Sequence, residues 1–179
     1  MPSKKVILIV AYEGYQPVEY GTPKRLLEEA GFTVITASNA SGTAIASDKS
    51  TTKVDLKVDE IKPNKYEGIF FIGGPGAMEN LDNEASYVVA RKAVELNKPL
   101  GAICVSTRIL AKAGVLKGRE ATGWNGDDEM VGIYEKHGVT VNPKDVVVDG
   151  NIITTSGPVA AQSFGEAIIT LLQEQRSWG

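Results

Sequence analysis

The sequence predicts an α/β fold, with a mostly parallel β-sheet lying between helices. Three observations carry this expectation. Val6-Ile7-Leu8-Ile9-Val10-Ala11 and Ile69-Phe70-Phe71-Ile72 are uninterrupted apolar runs, the pattern of parallel strands covered on both faces. Residues 6–37 read as strand, helix, strand, the unit that builds parallel sheets. An apolar run, Leu100-Gly101-Ala102-Ile103, ends on the only cysteine, Cys104, directly before a helical segment. In open sheets of this kind, ligands bind beyond the carboxyl ends of the strands.

The elements follow in order. Val6–Ala11 is the first strand. A loop over 12–17 leads to a helix from Val18 to Ala30, interrupted early by Pro23 and stopped by Gly31. Phe32–Ala37 is the second strand. Residues 38–60 lack helical periodicity, and the alternating pieces Ala44-Ile45-Ala46 and Val54–Val58 read as a small hairpin or arm. Tyr66–Ile72 is the next buried strand. It runs into Gly73-Gly74-Pro75-Gly76, where the backbone can approach a ligand closely and turn N–H groups toward it. No Gly-Lys-Ser/Thr follows, so this is not a Walker loop, and the spacing is not that of a dinucleotide site.

A helix over Asn83–Asn97 precedes the Cys104 strand, and the helix after it groups Ile109, Leu110 and Ala113 on one side. Leu116–Arg119 is a turn and Trp124-Asn125-Gly126 a polar loop. Asp127-Asp128-Glu129 opens a helix that ends at Lys136-His137-Gly138, with both sets of charges matching the helix dipole. Val139–Val141 and Asp145–Val148 are short strands. Asp149-Gly150 is a turn and Asn151–Thr155 the returning strand. A last helix, Val159–Glu174, turns Phe164, Ala167, Ile168, Leu171 and Leu172 inward. With no repeat or linker, one domain is expected over residues 1–179.

Composition narrows the function classes. Of 179 residues, 42% are hydrophobic and 23% charged, ordinary globular values. A net charge of −3 gives no reason to expect nucleic acid or an anionic membrane as partner. The first apolar run is too short for a signal-peptide core or a membrane span. One cysteine excludes an internal disulfide and a multi-cysteine zinc site, and suits a reducing cytoplasm. Nothing in the pattern calls for a metal or an organic cofactor.

The chemistry centres on Cys104. On a strand-to-helix turn a side chain is held exposed, and the adjoining N–H groups favour an anion, which is expected to lower the thiol pKa. A lone cysteine is otherwise a small buried apolar residue. A cysteine nucleophile needs oxyanion donors, and the N–H groups of Gly74 and Val105 are the candidates. It also needs a proton partner. The single histidine, His137, ends a helix, where the dipole alone favours an imidazolium, so a Cys-His dyad has little support. Glu19, near the start of the first helix, is the better candidate if burial raises its pKa, and Glu13 is a weaker competitor.

These residues carry a resemblance. Ala102-Ile103-Cys104, the following helix and Ala113-Gly114-Val115-Leu116-Lys117-Gly118-Arg119 resemble the elbow of the DJ-1/PfpI superfamily. Glu19 four residues before Pro23, Gly73-Gly74 after a buried strand, Val147-Val148-Asp149-Gly150-Asn151, and Ser156-Gly157-Pro158 before the last helix match in order, over nearly the whole chain. The resemblance implies a flavodoxin-like three-layer sandwich related to class I glutamine amidotransferase domains, in a cytoplasmic homodimer or higher oligomer. It makes Cys104 the nucleophile, Glu19 its acidic partner, and Gly74 and Val105 the oxyanion hole.

Two departures stand out. The peptidase-like branch places a histidine directly after the elbow cysteine, where this chain has Val105. The parkinsonism-associated branch draws one from a later loop, where this chain has Trp124. A Cys-His-acid peptidase is therefore disfavoured. The expectation is an enzyme acting on a small electrophilic substrate, glyoxalase- or deglycase-like, or else a hydratase or hydrolase. Gly73, Ser106, Thr107 and Trp124 are expected to line the pocket. A redox-sensing stress protein or chaperone and an intracellular cysteine peptidase are the alternatives.

Overall fold

The computed structural model describes residues 4–177. In chain order these form β1 (Lys4–Val10), β2 (Glu13–Tyr15), α1 (Pro17–Glu29), β3 (Phe32–Ser38), β4 (Thr43–Ala46), β5 (Thr51–Lys53), β6 (Leu56–Lys57) and β7 (Gly68–Phe71). Then follow α2 (Ala77–Leu81), α3 (Glu84–Glu95), β8 (Leu100–Ile103), α4 (Thr107–Lys112), β9 (Glu120–Ala121) and α5 (Met130–Lys136). The last elements are β10 (Thr140–Val141), β11 (Val146–Asp149), β12 (Ile152–Thr155) and α6 (Ala161–Ser177).

The main sheet has seven strands in the order β11-β12-β8-β7-β1-β3-β6. Every pair is parallel except β11–β12 at one edge, a hairpin whose turn is Gly150-Asn151 rather than the expected Asp149-Gly150, because Asp149 pairs with Ile152 as the last residue of β11. Val6 to Val10 are wholly buried, as are Ile69 to Ile72, so both faces of the central strands are covered. Helices α1 and α6 pack on each other over one face, and α3 and α4 over the other. The arrangement is a flavodoxin-like α/β sandwich with one antiparallel edge.

Three further local expectations change. Helix α1 continues through Pro23, which is buried where α6 passes at Gly165. Proline lacks an N–H, so one intrahelical hydrogen bond is absent there. The hairpin of the arm is β4 with β5, not β4 with Val54–Val58. Leu56-Lys57 instead extends the main sheet beside β3 as β6, and Val58–Glu60 turns into a short 3-10 helix. Helix α2 was not expected, because its single turn is too short to show a period.

The fold brings three loops together at the carboxyl ends of β1, β7 and β8. Gln16 N–H donates to the Gly73 carbonyl at 2.9 Å, and Gly76 N–H donates to the Gly14 carbonyl at 2.9 Å. The loop after β1 is thereby stitched to the glycine loop after β7.

Candidate active site

Cys104 stands on the turn between β8 and α4 with φ at 62°. A residue with a Cβ rarely adopts this left-handed conformation, and such outliers concentrate at functional turns. The turn is held from both sides: the Cys104 carbonyl accepts from Trp124 N–H at 3.2 Å and from the Thr107 hydroxyl at 3.0 Å. The side chain stays partly exposed.

Glu19 reaches the same point from α1. Gln16 caps that helix with its side-chain oxygen, which accepts from Val18 N–H at 2.6 Å and Glu19 N–H at 2.8 Å. Glu19 is fully buried. Its Oε1 accepts the Gly73 N–H at 2.9 Å, while Oε2 is buried without any conventional hydrogen-bond partner. The Cys104 thiol is the polar group coupled to this carboxyl. Gly73 makes the approach possible, because a Cβ there would lie 2.6 Å from Glu19 Oε1 and 2.8 Å from Cys104 Cβ.

Burial opposes the helix dipole at Glu19 and wins. Desolvation lifts the carboxyl from its ordinary value to about 7, only partly offset by the hydrogen bonds with Cys104 and Gly73. The sequence expectation for the thiol is reversed. Burial, and then the neighbouring carboxylate, push Cys104 up to about 12, against the lowering effects of the Val105 N–H and of Arg108. The elbow's N–H is present, but it is outweighed by desolvation and by a like charge. The two groups titrate as a pair. Burial and their mutual repulsion both oppose ionising the two groups together.

A cleft of about 550 Å³ opens over this pair. Gly74, Val105 and Trp124 line it, with Met78, Pro75 and Pro158 as further apolar wall and Gln16, Arg108, Asp127 and Glu129 as polar wall. Three expected pocket residues do not line it. Gly73 lies behind Glu19. The Ser106 hydroxyl donates to the Ile72 carbonyl at 2.7 Å and that of Thr107 to the Cys104 carbonyl, so both serve the backbone of the turn. His137 caps the end of α5 and Glu13 is exposed on β2, and neither borders the cleft. Among the described residues, no group of three or more His, Cys, Asp or Glu is arranged to hold a metal ion.

Arg108 was missed in the sequence. Its side chain is only 3% exposed, and its two terminal nitrogens donate to Asp127 Oδ1 at 2.6 Å and Oδ2 at 3.0 Å. It also donates to the Trp124 carbonyl at 3.1 Å, and its guanidinium lies 5.7 Å from the Trp124 ring centroid. The only signal was an arginine placed four residues after the cysteine and directly before the apolar Ile109-Leu110-Ala111.

The DJ-1/PfpI family model matches residues 4–171. The chain belongs to the DJ-1/PfpI family. Deglycase PfpI of Pyrococcus furiosus is 32% identical over 168 residues, 93% of this chain and 99% of that protein. A deglycase of Pyrococcus horikoshii is 32% identical over 170 residues, 94% of this chain and 99% of that protein. The crystal structure of a ThiJ/PfpI domain protein from Brachyspira murdochii superposes with a TM-score of 0.90 at 24% identity, covering 96% of this chain and 98% of that one. Schizosaccharomyces pombe DJ-1 superposes with a TM-score of 0.80 at 23% identity, over 93% and 90% of the two chains. At these identities the two structures speak to the fold. Among the described residues of this DJ-1/PfpI chain, no helix is long and apolar enough to cross a membrane.

Proposed function

We propose that this chain is a cysteine-dependent enzyme of the deglycase and glyoxalase kind, acting on small electrophilic carbonyl compounds. The observation that carries the reading is the buried Glu19 carboxyl, raised to about 7, against the Cys104 thiol at the floor of the cleft. A carboxylate with that pKa is matched to moving protons at neutral pH. The deglycase names of the two Pyrococcus relatives support the same reading.

The thiol at about 12 means that a standing thiolate is not the resting form. The proton leaves as the bond forms. Cys104 Sγ adds to the carbonyl carbon while its proton passes to Glu19, and the C=O electron pair moves onto oxygen. The N–H groups of Gly74 and Val105 receive that oxyanion. Glu19 then returns the proton to the oxygen, leaving a hemithioacetal. With a 2-oxoaldehyde, Glu19 next takes the C–H proton of the hemithioacetal carbon. Reprotonation at the adjacent carbon, through an enediol, gives a thioester, and water releases a 2-hydroxy acid and the free thiol.

The test is methylglyoxal consumption with lactate formation, followed in the parent, Cys104→Ala and Glu19→Gln. Both variants are expected to lose at least about 10²-fold in kcat/KM. Lactate formation that survives Cys104→Ala would sink the reading.

A further inference from the structure

Arg108 is the one basic side chain among the described residues that line the cleft. We propose that it acts as a fixed buried cation in the cleft wall, oriented by Asp127 and the Trp124 carbonyl, that favours the negative charge developing on Cys104 sulfur. The proposal rests on the reading of Cys104 as the reacting thiol.

Geometry supports it in three ways. Arg108 and Cys104 border the same cleft, four residues apart in sequence. The guanidinium is locked: the bidentate Asp127 pair, the Trp124 carbonyl and the Trp124 ring fix it from three directions. Its charge is also incompletely compensated. Nε is buried without a hydrogen-bond partner, and both carboxylates that pair with it, Asp127 and Glu129, have side chains on the solvent side, 35% and 70% exposed. Water screens those carboxylates more than it screens the buried arginine. The Coulombic effect of Arg108 on the thiol has the matching, lowering sign.

The charged and titratable groups around the pair come from three elements and one loop. They are Glu19 from α1, Arg108 from α4, Asp127 and Glu129 from the loop before α5, and Tyr134 from α5. Among them Glu19 raises the thiol pKa and Arg108 lowers it, while burial raises Tyr134. Arg108 is the one cation among these five.

The test is the pH dependence of Cys104 alkylation by iodoacetamide, which needs no turnover. It can succeed or fail independently of the methylglyoxal assay. Arg108→Gln is expected to move the thiol titration upward and to slow alkylation at pH 8 about tenfold, one pKa unit of thiolate. Arg108→Lys is expected to restore part of that rate. Asp127→Asn keeps an acceptor for the guanidinium but removes a negative charge, so it is expected to shift the titration downward and speed alkylation. A purely structural role for the ion pair would impair both variants alike. Shifts in the same direction for Arg108→Gln and Asp127→Asn, or no shift in either, overturn the proposal. If Arg108→Gln does not fold by circular dichroism, Asp127→Asn decides alone: a lowered pKa supports the proposal and an unchanged or raised one overturns it.

Discussion

The backbone N–H of Gly73 donates to Oε1 of Glu19 across 2.9 Å, and the carboxylate occupies the space that any side chain at position 73 would need. The glycine loop thereby holds the carboxyl in place as well as approaching the cleft. Gly73→Ala would put a methyl 2.6 Å from Glu19 Oε1 and 2.9 Å from the Ile103 carbonyl. The backbone at 73 is not left-handed, so the damage is steric alone. Urea unfolding should show a loss of about 1–3 kcal/mol, and methylglyoxal turnover should fall with it.

Glu19 ties stability to pH. Its pKa is raised in the folded chain, so the folded state binds more protons than the unfolded one between about pH 4.5 and pH 7. The stabilisation is complete below the unfolded value and is lost as pH rises through about 7. Between pH 5.5 and pH 8.5 this one group should cost the parent about 2 kcal/mol. Glu19→Gln should remove that part of the slope, measured as the parent-minus-variant difference in unfolding free energy at the two pH values.

The same titration should appear in the rate. If Glu19 accepts the thiol proton, kcat/KM for methylglyoxal should rise with pH through an apparent pKa of about 7. The rising limb should be missing from the residual activity of Glu19→Gln. A parent profile flat from pH 5.5 to 8.5 would remove Glu19 as the base.

Trp124 covers the cleft while 39% exposed, and its ring lies against Arg108. Trp124→Ala should widen the cleft and loosen the guanidinium. Steady-state kinetics should show a higher KM for methylglyoxal and better relative turnover of bulky aldehydes such as phenylglyoxal. Partial exposure keeps the stability loss near about 1 kcal/mol.

Ser106 separates support of the turn from chemistry. Ser106→Ala leaves the Ile72 carbonyl without its buried donor, which should cost about 1–3 kcal/mol in chemical denaturation. The iodoacetamide titration of Cys104 should stay where it is in the parent.

Much of this was readable from residue order. The buried strands were visible because parallel strands covered on both faces become unbroken apolar runs, as at Val6–Val10 and Ile69–Ile72. Cys104 and Glu19 could be set in one place because strand-helix alternation sends successive loops to the same edge of the sheet. The arm was divided wrongly because Leu56-Lys57 follows its partner β3, a tertiary pairing that no local pattern announces. The thiol pKa was given the wrong direction because desolvation depends on what packs around sulfur, and sequence position shows only the helix that follows. Arg108 escaped notice for a similar reason: its carboxylate, Asp127, lies on another loop and looked like an ordinary helix-starting acid.

Glu19 and Gly73 stand 54 residues apart, and their meeting requires β1 and β7 to be in register. A chain still being folded lacks that meeting. Its cysteine is an ordinary thiol near about 8.5, whereas the finished protein carries one at about 12. Burial and the neighbouring Glu19 carboxyl both arrive only with the fold, so the upward push on the thiol belongs to the finished site and not to the cysteine itself.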